Sequence, residues 1–344
     1  MAPDESRSRP VAESTAVPQP VAPGVWWLRL ALPFALDHVN VYLLDDGDSW
    51  TVVDTGLADD ATRAAWTEAL ARLPGSKPVA RVIATHHHVD HVGLARWFVE
   101  RFGAELLMTQ REWLWGRLLA VDESPERPAI FARFFRQAGF DEAEAAEMVR
   151  QGDAYSRFVE PPPATYRRLC DGDVLEAGGR RWRLLCCPGH SSEHLCLYDP
   201  QDRILLAGDH VLPTISPNVG IWPSDPDADP LGDYLASLRR VADEVHPETL
   251  VLPGHGAPFH GVHARIDWLL DHHDDRLLLV LDACRTPKTL REVVPALFER
   301  ALSDHQMVFA AGETAAHVNL LLRRGELERS AGPDGATLLR AAVR

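Results

Sequence analysis

The amino-acid sequence predicts an α/β protein of layered architecture, followed by a smaller helical domain. Short apolar runs rich in β-branched and aromatic residues begin after Gly24 and are separated by turns, which is typical of strands. Runs with helical spacing then alternate with short buried strands, as they do in layered α/β domains. Beyond about Val262 the runs are almost entirely helical. A chain of 344 residues has room for one large and one small domain.

The α/β domain opens with a set of strands and continues as an alternation of helices and strands. Gly-Asp between the predicted strands VNVYLLDD and SWTVVDTG indicates a hairpin. Gly103 is the final residue of the predicted helix LARWFVERFG, at a position where glycine commonly ends a helix. In chain order, the predicted elements are strands at VWWLRLAL, VNVYLLDD and SWTVVDTG, a helix at DDATRAAWTEALARL, a strand at VARVIATH and a helix at LARWFVERFG.

Residues 110–163 interrupt this alternation and are predicted to form a helical insertion. The segment contains the helical runs REWLWGRLL, PAIFARFFRQAG and DEAEAAEMVRQG, and EPPP ends it. Strands resume at GRRWRLLCCPG, HLCLYDP and RILLAGD, followed by a helix at PLGDYLASLRRVADEV and a strand at TLVLPGHG.

The C-terminal part of the chain is predicted to be a winged-helix-like domain. The runs ARIDWLLDHHDDRLLLVLDAC, TLREVVPALFE and TAAHVNLLLRRGELE are helical, and RSAGPDGATLLRAA favours a β-hairpin. Three helices before a hairpin are the elements of a winged helix. We therefore divide the chain into a disordered tail at residues 1–22, the α/β domain at 23–262 and the winged-helix-like domain at 263–344.

Composition and charge disfavour several functional classes. A formal net charge of −15 argues against a general affinity for nucleic acid. No apolar run reaches the roughly 18 residues that a membrane span needs, and the first residues lack the apolar segment of a signal peptide. The five cysteines are odd in number and form no Cys-x-x-Cys pair, so reduced thiols and a cytoplasmic location are expected.

The stretch HHHVDH concentrates metal-binding side chains directly after a predicted strand. Its spacing is His86-x-His88-x-Asp90-His91. Imidazole and carboxylate are the ligands that zinc and neighbouring first-row metals prefer. Because the stretch lies in a loop that leads into a helix, its alternate side chains can face two different points.

Three further candidate ligands lie at the carboxyl ends of later predicted strands. His190 follows a strand and a Pro-Gly turn, Asp209 ends LLAGD, and His255 follows LVLPG. Open α/β sheets bind their ligands at the carboxyl ends of strands. The sequence therefore predicts one metal site built from these residues and the HHHVDH loop.

This order of ligands resembles the metallo-β-lactamase superfamily of metallohydrolases, from about Gly24 to Gly261. The resemblance implies a four-layer αβ/βα sandwich with a binuclear centre, in which zinc is expected and iron or manganese are alternatives. It also implies that Asp54, in VVDTG, orients a ligand instead of binding metal. The implied ligands are His86, His88 and His190 for one metal, Asp90, His91 and His255 for the second, and Asp209 as the bridge between them.

The residue type at position 209 distinguishes between branches of the superfamily. The commonest lactamases have Cys at this position, whereas Asp with five His resembles glyoxalase II and the broader hydrolase branch. The C-terminal domain resembles the winged-helix ends of lactamase-β-like proteins, which include thioester hydrolases and an RNA-cleaving enzyme. Antibiotic hydrolysis is therefore not expected as the main role.

A centre of this kind predicts hydrolysis. Two cations lower the pKa of a bridging water, so that hydroxide is available near neutral pH to attack a carbonyl or a phosphorus. Asp90 is expected to accept a proton as well as to bind metal. The leading hypothesis is hydrolysis of a small-molecule thioester, or of another acyl ester or lactone with a hydrophobic part.

Two alternatives stay open, a phosphodiesterase or endoribonuclease and a winged-helix regulator with a vestigial metal domain. Residues 265–344 contain 11 Lys and Arg against 12 Asp and Glu, so they present no strong basic surface for nucleic acid. A complete set of ligands argues against a vestigial site. Homodimer formation or support of a lid is the expected task of the C-terminal domain.

The aromatic residues of the insertion allow two interpretations. They either pack the inserted helices onto the core or form a lid over an apolar acyl group, because lids exclude water and pockets are commonly apolar. In the second case Ile221 and Trp222, from the loop after Asp209, form the opposite wall. The aromatic residues concerned are Trp113, Trp115, Phe131, Phe134 and Phe135.

Overall fold

The chain folds into two β-sheets that pack face to face, with helices on both outer sides. The structure, a computed structural model, describes residues 17–152 and 155–342. The strands are β1 (Gln19–Ala22), β2 (Val25–Ala31), β3 (His38–Asp45), β4 (Trp50–Val53), β5 (Val79–Ile83), β6 (Glu105–Met108), β7 (Arg167–Arg168), β8 (Val174–Ala177), β9 (Arg180–Cys186), β10 (Leu195–Asp199), β11 (Ile204–Gly208), β12 (Leu250–Pro253), β13 (Leu327–Ala331) and β14 (Thr337–Ala341).

The helices lie outside the sheets, in the insertion and in the C-terminal region. Among those that the structure describes, none is long and apolar enough to cross a membrane. They are α1 (Asp60–Arg72), α2 (Val89–Val92), α3 (Ala95–Phe102), α4 (Gln110–Val121), α5 (Arg127–Gln137), α6 (Glu142–Gly152), α7 (Pro230–Glu244), α8 (Val262–Ala283), α9 (Leu290–Leu297) and α10 (Asp304–Arg323).

Both large sheets combine antiparallel and parallel strands. The first contains β1 to β7 in sequence order; its pairings are antiparallel up to β4 and parallel from there on. The second has the order β12-β11-β10-β9-β8, and only β11 and β12 run parallel. The two sheets meet where β12 ends, because the Tyr42 hydroxyl donates to the Pro253 carbonyl at 2.8 Å. This contact holds the carboxyl end of β12 against the first sheet.

Alternate residues of each strand face different layers, as the pleat requires. In β4, Val52 packs against α1 and α3, whereas Val53 packs between the sheets. In β11, Leu205 faces α7 and α8, whereas Leu206 packs between the sheets. The resulting order of helices, sheet, sheet and helices confirms the predicted four-layer αβ/βα sandwich.

Four strands were not predicted, and one of them corrects the extent of the N-terminal tail. Residues 19–22, which we assigned to the disordered tail, form β1, an edge strand paired with β2. An edge position tolerates the proline of QPVA, and a four-residue run gives little signal of its own. Residues 1–16 of the predicted tail lie outside the described residues. The other unpredicted strands, β6, β7 and β8, are two to four residues long.

The C-terminal region contains the predicted three helices and a hairpin, but it shares its core with the α/β domain. Val280 of α8 and Ala316 of α10 belong to the same hydrophobic cluster as Leu205 of β11. Helix α10 also begins earlier than predicted, at Asp304, where Ser303 and Gln306 form a capping box. The domain boundary at residue 262 and the winged-helix assignment stay predictions.

Candidate metal centre

All seven predicted ligands lie at one edge of the sandwich, on the loops that follow four strands and on the short helix α2. His86, His88, Asp90 and His91 follow β5, which lies in the first sheet. His190, Asp209 and His255 follow β9, β11 and β12 of the second sheet. The predicted placement at strand ends therefore corresponds to a real convergence of side chains from both sheets.

The seven residues form three overlapping groups around the carboxylate of Asp209. In each group, one nitrogen or oxygen atom per residue lies within 4.8 Å of those of the others. Oδ2 of Asp209 lies 3.4 Å from Nε2 of His91, 3.5 Å from Nε2 of His190 and 3.2 Å from Nε2 of His255. The groups are His86, His88 and His190; His86, His91 and Asp209; and Asp90, His91 and His255.

Three atoms at the centre of this cluster are buried and have no hydrogen-bond partner within the part of the chain that the structure describes. They are Nε2 of His91, Nε2 of His190 and Oδ1 of Asp209. A buried polar atom without a partner costs about 1–3 kcal/mol, so such atoms are rarely left in place without a reason. Imidazole nitrogens and a carboxylate oxygen that converge in this way fit divalent metal ions as their missing partners.

Three histidines of the cluster are oriented through their second ring nitrogen. Nδ1 of His91 lies 2.8 Å from Oδ2 of Asp54, as the prediction for Asp54 requires. Nδ1 of His190 donates to the carbonyl of Asn218 at 2.7 Å, and Nδ1 of His255 donates to the carbonyl of His38 at 2.6 Å. These contacts set Nε2 of each ring free for a metal. Asn218 and His38 could not be identified from the sequence, because backbone carbonyls carry no sequence signal.

Asp54 reaches His91 from a strained backbone position at the end of β4. Its φ of 63° lies in the left-handed region, which non-glycine residues seldom adopt. The carboxylate also accepts hydrogen bonds from the backbone N–H of Thr85 at 2.8 Å and from the hydroxyl of Thr85. Asp54 thus joins β4 to the start of the ligand-bearing loop.

Some ligands of the cluster are held in the deprotonated form that binds metal, whereas others are held in the protonated form. Burial and the neighbouring imidazoles hold the pKa of His86 and of His88 well below its ordinary value, so both rings are neutral. Burial raises the pKa of Asp209, but His255 and His91 outweigh it and keep that pKa well below the usual range. Burial lowers the pKa of His91, but Asp209 and the other carboxylates raise it well above the ordinary value. A metal bound to His91 therefore has to displace a proton.

Glu112, a residue of the insertion, links the two loops that carry His86, His88 and His190. Its fully buried carboxylate accepts hydrogen bonds from the backbone N–H of His87 at 2.9 Å and of Glu193 at 2.6 Å. The same carboxylate lies 2.5 Å from Nδ1 of His87. This residue could not be identified from the sequence, because a single glutamate in a helical segment far from the motif carries no distinguishing pattern.

His194 and His210 adjoin the ligands but do not belong to the groups. Nε2 of His194 accepts a hydrogen bond from the backbone N–H of Asp209 at 3.1 Å, so this ring supports the loop that carries Asp209. Nε2 of His210 lies 3.5 Å from the hydroxyl of Ser237, and its ring is fully buried. Neither side chain is placed to contact substrate.

A cavity of about 270 Å³ adjoins the cluster at His88 and His190. The insertion and the loop after Asp209 both contribute to its lining, which combines large apolar residues with charged ones such as Arg111, Arg127 and Asp233. The large apolar lining residues are Trp115, Leu119 and Phe131 from the insertion and Ile221 and Trp222 from the loop, and Ala228 and Pro230 also line the cavity.

The remaining aromatic residues of the insertion pack instead of lining the cavity. Trp113 stacks on Tyr166 at 4.5 Å, and its ring N–H donates to the carbonyl of Pro163 at 2.9 Å. Phe134 and Phe135 contact the core beneath the second sheet. Packing therefore accounts for these three residues, and the lid stays a prediction for Trp115 and Phe131, which line the cavity.

Comparison with known proteins agrees with this architecture. Residues 35–255 match the Metallo-beta-lactamase superfamily, and residues 277–341 match the family described as Metallo-beta-lactamase-like, C-terminal domain. A solved beta-lactamase domain protein from Burkholderia ambifaria is 42% identical, covers 95% of both chains and superposes with a TM-score of 0.87.

Two relatives with descriptive names match most of the chain. "Probable metallo-hydrolase YqjP" of Bacillus subtilis is 30% identical over 86% of this chain and 91% of its own length. "Acyl-coenzyme A thioesterase MBLAC2" of Gallus gallus is 27% identical over 69% of this chain and 79% of its own length. With its sandwich fold, its His and Asp cluster and these matches, the chain belongs to the metallo-beta-lactamase superfamily of metallohydrolases and has the C-terminal domain of that family.

Proposed function

We propose that this protein is a binuclear metal-dependent hydrolase that cleaves thioesters, or other acyl esters and lactones, with an apolar acyl part. The observation that carries the proposal is the convergence of buried ligand atoms of His91, His190 and Asp209 that have no hydrogen-bond partner among the described residues. They adjoin a cavity that His88 and His190 line together with large apolar side chains. The cluster supplies the reacting centre, and the cavity accommodates the acyl group.

The proposed ligands divide into two sets that share Asp209. One metal would be held by His86, His88 and His190 and the other by Asp90, His91 and His255, and Asp209 would be their common ligand. The distances from Oδ2 of Asp209 to His91, His190 and His255, 3.2–3.5 Å, support a bridging position. Zinc suits this set of imidazoles and carboxylates, and iron and manganese accept the same ligands.

Besides the metal ions, residues of the chain contribute to the reaction in two ways. When bound, a pair of divalent ions lowers the pKa of a coordinated water and stabilises the charge that develops on the attacked carbonyl. Asp54 and the carbonyls of Asn218 and His38 hold the imidazoles in the tautomer that exposes Nε2. The carboxylate of Asp90, whose Oδ2 lies 3.4 Å from Nε2 of His255, is our candidate for accepting a proton during hydrolysis.

The composition of the cavity supports an acyl substrate. Trp115, Leu119 and Phe131 line it together with Ile221 and Trp222, so an apolar chain bound there would be desolvated. Hydrolysis of thioesters is also the activity for which the Gallus gallus relative is named. A net charge of −15 opposes a polyanionic substrate such as RNA.

A substrate screen tests the proposal. Metal-loaded protein is assayed with thioesters of increasing acyl length, with lactones and with phosphodiesters, and a metal-stripped sample is the control. We expect thioester hydrolysis that disappears with the metal and increases in kcat/KM with acyl length. Hydrolysis of phosphodiesters without hydrolysis of any acyl compound would contradict the proposal.

A further inference from the structure

The loop that follows Asp209 rests directly on helix α10 of the C-terminal region. The backbone N–H of Ile221 donates to the carbonyl of Gly312 at 3.0 Å, and the Trp222 and Phe309 rings lie 6.0 Å apart. A Cβ atom at Gly312 would lie only 2.8 Å from the carbonyl oxygen of Ile221, so the two backbones approach closely because residue 312 is glycine. The C-terminal region thus supports one wall of the cavity.

Three consecutive interactions connect helices α8 and α10 to His190, a proposed metal ligand. The carbonyl of Asn218 accepts the hydrogen bond from Nδ1 of His190 at 2.7 Å. The side-chain amide of Asn218 donates to Oε2 of Glu313 at 3.3 Å. Oε1 of Glu313 in turn lies 2.8 Å from Nη2 of Arg276 on α8.

We propose that Asn218 and Glu313 are positioning residues of the metal centre, through which helices α8 and α10 fix the orientation of the His190 ring. This inference rests on the proposed function, because it takes His190 as a metal ligand. The C-terminal domain then has a task within its own chain, which is to complete the metal centre and the cavity wall.

The burial of Glu313 supports this task over simple packing. The residue is only 8% exposed, and burial raises the pKa of its carboxyl even though Arg276 and Asn218 lower it. A buried ion pair is seldom more stabilising than apolar residues of similar size, so its presence in a helix interface indicates a directional need. Here one carboxylate oxygen faces Arg276 and the other accepts from Asn218, which fixes the position of the loop.

The test is the metal affinity of the full chain, measured by competition of the metal-free protein with a chromophoric zinc chelator. Asn218→Ala removes the side-chain anchor and keeps the backbone carbonyl that His190 contacts. Glu313→Gln keeps the size of the side chain and halves its capacity to accept hydrogen bonds. The cobalt(II)-loaded proteins report the ligand geometry through their visible spectra, independently of activity.

Asn319→Ala is the matched control, because Asn319 also joins α10 to the connection between β11 and α7. Its side-chain amide donates to the carbonyls of Pro226 and Ala228, both at 2.9 Å, but it has no part in the contacts to His190. Loss of docking alone should therefore affect this variant as much as Asn218→Ala.

We expect one of two zinc ions to bind about 10–100-fold more weakly in Asn218→Ala, as is usual when a partner of a metal-binding histidine is disturbed. Glu313→Gln should lose affinity in the same direction, and the double variant should lose no more than Asn218→Ala alone, since both act through one chain of contacts. The cobalt spectrum should change in these variants and not in Asn319→Ala. Unchanged zinc affinity in Asn218→Ala, or an equal loss of zinc affinity in Asn319→Ala, would overturn the inference. If the wild type still binds two zinc ions in that case, the proposed function stands. A wild type that binds no metal would instead refute the proposed function.

Discussion

Replacing Glu112 by glutamine tests how far the insertion supports the metal centre. The carboxylate of Glu112 is fully buried and receives the N–H groups of His87 and Glu193, which belong to two separate ligand-bearing loops. Glutamine has the same shape, but one of its two terminal groups donates hydrogen bonds instead of accepting them. Glu112→Gln therefore breaks the link between the loops without opening a cavity.

The size of the effect follows from the number of hydrogen bonds. Oε2 of Glu112 serves both the N–H and the ring of His87, so the glutamine oxygen should stay on that side and its NH2 group should face the N–H of Glu193. A hydrogen bond to a charged group contributes about 1.5–3 kcal/mol, and a buried donor without a partner costs about 1–3 kcal/mol. Allowing for relaxation, we expect the free energy of unfolding to fall by about 2–4 kcal/mol.

The dependence of this loss on pH provides a second prediction from the same variant. Burial raises the pKa of Glu112, but its charge interaction and hydrogen bonds with His87 and the N–H of Glu193 bring the pKa below the usual value of 4.5. The stability that the carboxylate contributes is therefore fully present above about pH 4.5 and is lost as the pH falls through the lowered pKa. The difference between the wild type and Glu112→Gln should narrow over that acidic range.

Urea unfolding of the metal-free proteins measures the effect, with Glu123→Gln as the control. Glu123 is an exposed carboxylate of the same insertion, just after α4, and its replacement should change the free energy of unfolding by less than about 0.5 kcal/mol. If Glu112→Gln changes the free energy of unfolding as little as Glu123→Gln does, then the buried carboxylate does not link the loops in the way described.

Three further predictions concern the metal centre and the cavity. Asp209→Ala should keep its fold and lose nearly all hydrolysis, because the proposed bridge between two cations is gone; elemental analysis and turnover measure it, and near wild-type turnover would refute the bridging assignment. Gly254→Ala should weaken metal binding at least about tenfold, since a Cβ there would lie 2.1 Å from Oδ1 of Asp209; unchanged affinity in a chelator competition would contradict this. Leu119→Ala should raise KM for long acyl substrates about tenfold, because contacts with a few methyl groups are lost. Leu118→Ala should leave KM unchanged, because Leu118 is exposed and lies outside the cavity. Equal KM values in the two variants would contradict the assignment of the cavity to the acyl group.

The clustering of the seven candidate ligands could be predicted from the sequence because each one lies on a segment that follows the carboxyl end of a strand. The strands β11 and β12 run parallel, so Asp209 and His255 emerge at the same edge, and β5 brings the HHHVDH loop to that edge from the first sheet. Asp54 could be placed beside them by resemblance, and the structure brings its carboxylate to His91.

The residues that orient the ligands could not be predicted, for two physical reasons. Asn218 and His38 act through backbone carbonyls, which every residue type possesses. Glu112 and Glu313 act across contacts between distant parts of the chain, and neither belongs to a local pattern. Among the elements of the fold, the four strands that were not predicted owe their conformation to pairing with neighbouring strands. The start of α10, in contrast, has a local sequence signal in the capping box of Ser303 and Gln306.

Diffraction from crystals of the zinc-loaded protein, recorded at the zinc absorption edge, tests the central claim most directly, because anomalous scattering locates metal ions without reference to activity. We expect two peaks per chain, each at about 2.0–2.2 Å from its histidine nitrogens, with the carboxylate of Asp209 between them. One ion should lie among His86, His88 and His190 and the other among Asp90, His91 and His255. A single peak, or two peaks of which neither contacts Asp209, would contradict the proposed binuclear centre.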